Sequence, residues 1–106
     1  MKIVITLPDN AVREIAAKAG HTLMEAMRDG GVPVRAECGG AMACATCHVR
    51  IDDAWIDKVG KAGGEETDLL DHSDYLSATS RLACQVKLKD AYDGLRVTLQ
   101  LDALED

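Results

Sequence analysis

The chain has 106 residues, the length of one domain, and a domain of that size buries somewhat over ~60% of the surface its unfolded form exposes. Its formal charge of -6 disfavours nucleic acid and anionic membrane surfaces, whose phosphates would repel it, and favours basic protein partners. Hydrophobic residues make up 47% and charged residues 28%, as in ordinary globular proteins, but Phe is absent, so a cofactor could supply cohesion that rings usually bring.

The elements can be read in chain order. Lys2 to Leu7 sets Ile3 and Ile5 against Lys2, Val4 and Thr6, Pro8-Asp9-Asn10 has turn chemistry, and Ala11 to Ala17 carries Val12 and Ile15. Together they predict a β-hairpin. The turn cluster also interrupts the opening stretch too early for a secretory signal, and no apolar run is long enough to span a bilayer. A cytoplasmic, bacterial protein is expected; a processed organelle matrix protein would look the same, since a removed transit peptide leaves no trace. Thr22 followed by Glu25 is a capping box, Leu23, Ala26 and Met27 make an apolar stripe, and Gly30-Gly31 ends the helix before Pro33.

Arg35 to Thr46 has neither helical nor strand periodicity and, Met42 aside, no bulky apolar residue, which reads as a loop wrapped around something. His48 to Ile51 predicts a short strand, and Glu65 to His72 a short acidic helix with Leu69 and Leu70 inward. Leu82 to Leu88 and Leu95 to Leu101 predict two later strands around Asp93-Gly94. No internal repeat, linker or low-complexity segment divides the chain, and one domain over 1–106 is expected.

The chemistry is concentrated in four cysteines spaced C-x5-C-x2-C-x36-C: Cys38, Cys44 and Cys47 from one loop, Cys84 from far along the chain. In a reducing compartment such residues are ligands before they are disulfides. A two-iron, two-sulfide cluster takes four thiolates, and its potential depends on hydrogen bonds to sulfur, charge and solvent access. Gly39, Gly40, Ala41, Ala43 and Ala45 suit that need, because a loop without large side chains can curl close and aim N–H groups at the sulfurs.

Other readings fit less of the pattern. Structural zinc usually pairs two C-x2-C knuckles, and here there is one, with Cys38 at an odd offset. A thioredoxin-like Cys44-Ala45-Thr46-Cys47 leaves Cys38 and Cys84 idle. Cys44-Ala45-Thr46-Cys47-His48 also matches the covalent haem signature. That reading needs an export signal and a bulky apolar pocket, and neither is visible. A Rieske centre needs two histidine ligands, and His21, His48 and His72 lack paired spacing; His48 reads as a hydrogen-bonding neighbour of the site.

At this point the sequence resembles the vertebrate-type [2Fe-2S] ferredoxins, the group of adrenodoxin and putidaredoxin. The resemblance runs along almost the whole chain: Glu37 through Cys38-Gly39-Gly40 to Cys44-Ala45-Thr46-Cys47-His48, then Trp55-Ile56-Asp57-Lys58, Glu65-Glu66-Thr67-Asp68-Leu69-Leu70-Asp71, and Ser80-Arg81-Leu82-Ala83-Cys84-Gln85. The x5 gap separates it from plant-type ferredoxins, whose first gap is four residues. It implies an α+β, β-grasp fold: a twisted mixed sheet with one main helix and the short acidic helix.

The resemblance also implies a monomeric one-electron carrier, not an enzyme, with a [2Fe-2S] cluster on Cys38, Cys44, Cys47 and Cys84. Its partners would be an FAD-containing, NAD(P)H-dependent ferredoxin reductase and a terminal oxygenase, either a cytochrome P-450 or a Rieske-type ring-hydroxylating dioxygenase. Some members instead donate electrons to iron-sulfur cluster assembly, and a zinc-stabilised structural module is the alternative of another class. The Trp55-Ile56-Asp57-Lys58 segment leans toward an oxygenase system. Two positions depart from the family. The sequence closes on Leu104-Glu105-Asp106 where putidaredoxin-like members often carry an aromatic, so no C-terminal aromatic contact is expected. Asp74, with Tyr75 beside it, stands where adrenodoxin-like sequences have a tyrosine.

Glu65, Glu66, Asp68 and Asp71 are expected to form the docking face for basic partners; on a helix, 65, 68 and 71 run along adjacent turns. A solvated acidic helix end, favoured by the helix dipole, is the plainer reading of the same residues. One electron changes the charge of this acidic protein little, so both partners should meet nearly the same surface. Arg81 is expected to be structural, paired with Glu66; Trp55, Met24 and Met27 are expected in the core.

Overall fold

A computed structural model describes residues 1–35, 47–71 and 73–103. The first hairpin forms as its alternation predicts: β1 (Lys2–Thr6) pairs antiparallel with β2 (Val12–Ala16), Ile3 facing Ile15 and Ile5 facing Arg13. Ile3 and Ile5 are fully buried, whereas Lys2 is exposed and Val4 and Thr6 are half-buried on the outer face.

Helix α1 (Leu23–Asp29) begins at the predicted capping box. Thr22 Oγ1 accepts from the Glu25 N–H at 3.1 Å, and Glu25 Oε1 accepts from the Thr22 N–H at 3.0 Å. The backbone N–H of Thr22 holds the Glu25 carboxyl below its ordinary range, so it stays ionised beside the positive helix end. Leu23, Met24, Ala26 and Met27 are all buried under the sheet.

Position 30 must be a glycine for a packing reason. A Cβ there would lie 2.6 Å from Ile15 Cγ2 and 2.9 Å from Ile15 Cβ, so the helix end sits directly on β2. Gly30→Ala is therefore expected to destabilise the protein by about 1–2 kcal/mol, overpacking outweighing the entropy gained in the unfolded chain. A urea midpoint that falls at constant m checks this; a raised midpoint refutes it.

Among the described residues the sheet has five strands, in the order β2-β1-β5-β3-β4. Strand β3 (His48–Ile51) lies antiparallel to both β4 (Ser80–Leu82) and β5 (Leu95–Leu99). Strand β5 runs parallel to β1, Ile3 facing Leu95 and Ile5 facing Val97. A mixed sheet with α1 packed across it is the expected β-grasp arrangement. Leu95, Val97 and Leu99 turn inward beside Ile3, Ile5, Val49 and Ile51, which is the period-2 pattern of a half-covered sheet.

Three expectations for the second half are corrected. The strand predicted over Leu82 to Leu88 is only β4 followed by a 3₁₀ turn at Ala83–Gln85; beyond it Lys87 makes a single bridge to Thr22. Val86 and Leu88 are apolar because they pack beside α1, where the Leu23 N–H donates to Val86 O at 2.8 Å. Asp93-Gly94 does not join two paired strands; it leads into β5 and meets the start of β1, the Gly94 N–H donating to Lys2 O at 2.7 Å. Strand β5 ends at Leu99, and Leu101–Ala103 is a 3₁₀ turn.

Helix α2 (Ile56–Val59) was not anticipated, nor was the 3₁₀ turn Asp90–Tyr92. Buried Tyr92 joins them, its hydroxyl donating to Lys58 O at 3.1 Å. Trp55 is half-buried against the core, with Lys58 Nζ 5.0 Å from its ring centroid, a cation–π contact. Helix α3 (Glu65–Leu70) is shorter than predicted; Leu70 is fully inward and Leu69 half-buried. None of the described helices is long and apolar enough to cross a membrane.

Candidate metal centre

Strands β3 and β4 bring two distant cysteines to the same end of the sheet. His48 faces Leu82 in register, so Cys47, just before β3, and Cys84, just beyond β4, emerge side by side. The Ala83 N–H donates to Cys47 O at 2.9 Å and closes this corner. The 3₁₀ turn at Ala83–Gln85 thus has a use: it takes the chain out of the sheet and turns Cys84 toward Cys47. Cys38 and Cys44, with the glycines and alanines of their loop, lie outside the described residues.

Both described cysteines are buried. A hydrogen bond from the Cys47 thiol lowers the Cys84 thiol from 9.0 to about 6; Gln85 acts in the same direction, against burial and the Glu66 charge. The Gln85 amide donates to Cys84 Sγ across 3.6 Å. Two adjacent sulfurs, one readily ionised and already accepting from an N–H, are the donor chemistry that soft iron requires. The corner therefore fits a thiolate-bound iron-sulfur group.

His48 is fully buried beside this corner. Its Nε2 lies 2.6 Å from Ser80 Oγ and its Nδ1 3.2 Å from Ser73 Oγ. With a hydroxyl at each nitrogen the ring is engaged as a hydrogen-bonding neighbour of the cysteines. It points to the opposite sheet face from Val49, where Ser73 and Ser80 meet it. Ser73, and the role of Ser80 on this ring, escape notice in the sequence because lone serines there carry no spacing signal.

Arg81, on the Val49 side of β4, is the hub beneath the cysteines. Its Nε and Nη2 fork onto Glu66 at 2.6 and 3.2 Å, its Nη1 donates to Gly60 O at 2.8 Å, and Nη2 also reaches Gln85 O at 3.3 Å. Glu66 Oε2 additionally accepts from the Leu82 N–H at 2.9 Å. One guanidinium thus ties the ends of α2 and α3 to the turn bearing Cys84.

This burial removes one residue from the acidic face. Glu66 is only 6% exposed and spends its charge on Arg81, because on α3 it shares the inward side with Leu70, four residues on. Glu65, Asp68 and Asp71 are exposed. His72 lies outside the described residues.

Comparison with known proteins agrees with this geometry. Residues 7–89 match the model of the 2Fe-2S iron-sulfur cluster binding domain. Terpredoxin of Pseudomonas sp. is 44% identical over 91 residues, 84% of this chain and 86% of its own length. The crystal structure of a reduced putidaredoxin variant from Pseudomonas putida superposes with a TM-score of 0.89 at 34% identity, covering 95% of this chain and 97% of that one. Putidaredoxin in a covalent complex with putidaredoxin reductase matches at a TM-score of 0.86 and 35% identity, over 93% of this chain and 97% of that one. The fold, the paired sulfurs and these likenesses agree: the chain belongs to the adrenodoxin- and putidaredoxin-like [2Fe-2S] ferredoxins and is an electron-transfer protein with a [2Fe-2S] cluster, not an enzyme.

Proposed function

We propose that this ferredoxin carries single electrons from an NAD(P)H-dependent, FAD-containing ferredoxin reductase to a terminal oxygenase, a cytochrome P-450 or a Rieske-type dioxygenase, acting as a monomer and one domain in the bacterial cytoplasm. Cys38, Cys44, Cys47 and Cys84 are the four cluster ligands in this reading. The observation that carries it is the convergence of Cys47 and Cys84 at one buried corner across 36 intervening residues. The solved complex between putidaredoxin and its reductase supports the choice of a reductase as the electron donor. The bound cluster supplies reversible one-electron chemistry; the residues of this chain hold it, shield it and offer a face for docking.

That face is the exposed side of α3, where Glu65, Asp68 and Asp71 lie clear of the Arg81–Glu66 pair. Exposed charges speed encounter without holding the complex tightly, which suits a carrier that must let go. Glu65→Gln with Asp68→Asn is expected to raise the reductase KM for the holoprotein by about threefold at low salt and to flatten its salt dependence. Turnover and salt dependence that both stay as in the wild type place docking elsewhere. Supplying reduced protein to each oxygenase class in turn identifies the acceptor.

A further inference from the structure

Four large apolar side chains are strongly exposed among the described residues, and three of them share one neighbourhood: Tyr75 at 44%, Leu76 at 47% and Leu101 at 49%. The link is Gln100. Its side-chain amide donates to Tyr75 O at 2.8 Å, its backbone N–H donates to His48 O at 3.1 Å, and Leu101 follows it directly. His48 is in turn the residue after Cys47.

The Tyr75-Leu76 segment is also held from its other sides. The Tyr75 N–H donates to Ser73 Oγ at 3.0 Å and the Ser77 N–H to Ser80 Oγ at 2.9 Å, and both serines touch the His48 ring. A fixed backbone that nonetheless leaves a tyrosine and a leucine in water is arranged like the apolar centre of an interface, not like a loop tip. Little ordering entropy remains to be lost when a partner covers it. Exposed Asp71 and Asp74 flank it, with Asp68 one turn away on α3.

We infer that Tyr75, Leu76 and Leu101 are the apolar docking contact for a redox partner whose face carries an apolar side chain within a ring of Lys and Arg. The inference rests on the carrier reading above and adds to it the residues that seat the partner after charge has brought it in. Charge complementarity selects the basic rim, and burial of Leu76 and Tyr75 supplies the hold. Electron transfer weakens steeply with distance, so a contact tied through Gln100 and Ser73 to His48, the neighbour of Cys47, is well placed to set the approach.

The test uses the holoprotein with NADH and putidaredoxin reductase, or the reductase from the same source, at a salt concentration that screens steering. Leu76→Ser is expected to raise the ferredoxin KM about tenfold and Tyr75→Ser by a similar factor, with kcat, visible spectrum and salt slope unchanged. Leu76→Met and Tyr75→Phe should restore the wild-type KM. A KM unchanged in both serine variants overturns the inference while leaving the carrier reading intact. A wild-type protein that neither reductase can reduce defeats that reading and the inference with it. Sedimentation showing a wild-type dimer that Leu76→Ser dissociates also overturns it, because the patch would then be covered by a second copy of this chain.

Discussion

Arg81→Ala should cost the folded protein about 3–5 kcal/mol, the loss expected when one partner of a buried ion pair is removed. The reason lies less in the attraction given up than in what stays behind. Glu66, with a side chain 7% exposed, would keep its carboxylate in the interior with only the Leu82 N–H to satisfy it, and Gly60 O and Gln85 O would each lose a donor. For a domain of this length the melting temperature should fall on the order of 15 °C. Arg81→Lys should recover only part of the loss, since an ammonium cannot fork onto both carboxylate oxygens and still reach two carbonyls. Changing Glu66 and Arg81 together to leucine should cost no more than Arg81→Ala alone, because no buried charge is then stranded. A thermal midpoint unmoved by Arg81→Ala would show that water or a neighbour substitutes for the guanidinium.

Loss of the chromophore is the second large effect. Cys47→Ser and Cys84→Ser should each bleach the visible absorption of the holoprotein, and iron and acid-labile sulfide should fall with it. A hydroxyl is a harder, far less acidic donor than a thiol, so it holds soft iron poorly. Cys38→Ser and Cys44→Ser should behave alike if the four residues form one ligand set. Any variant that keeps a full complement of two irons and two sulfides removes its cysteine from that set. Zinc without sulfide in the wild-type protein would end the cluster assignment itself.

Local order was plain in the sequence wherever a few neighbouring residues carried the whole instruction. The Ile3 and Ile5 alternation made β1, the Thr22–Glu25 capping box started α1, and both formed within a residue or so of the expected bounds. The cysteine spacing by itself points to thiolate-bound iron, because four soft ligands at those offsets suit little else. Even the Arg81–Glu66 pairing was foreseeable from an arginine three residues before Cys84 and an acidic helix upstream.

Partners far apart in the chain decided the rest. Leu82 to Leu88 has the composition of a strand, yet it leaves the sheet after Leu82 because Cys84 must turn to meet Cys47 and because Val86 and Leu88 find their cover on α1. Glu66 could be read both as part of the acidic docking face and as the partner of Arg81, and the packing of α3 against β4 decides for the buried pair. Ser73, Ser80 and Gln100 acquire their roles from the His48 ring and the turn they hold, contacts across 25 residues or more. Periodicity and capping are short-range and can be read in a window of ten residues; burial, ion pairing and the exposure of Tyr75 and Leu76 depend on what the rest of the chain brings alongside, so they exist only once the tertiary structure has formed.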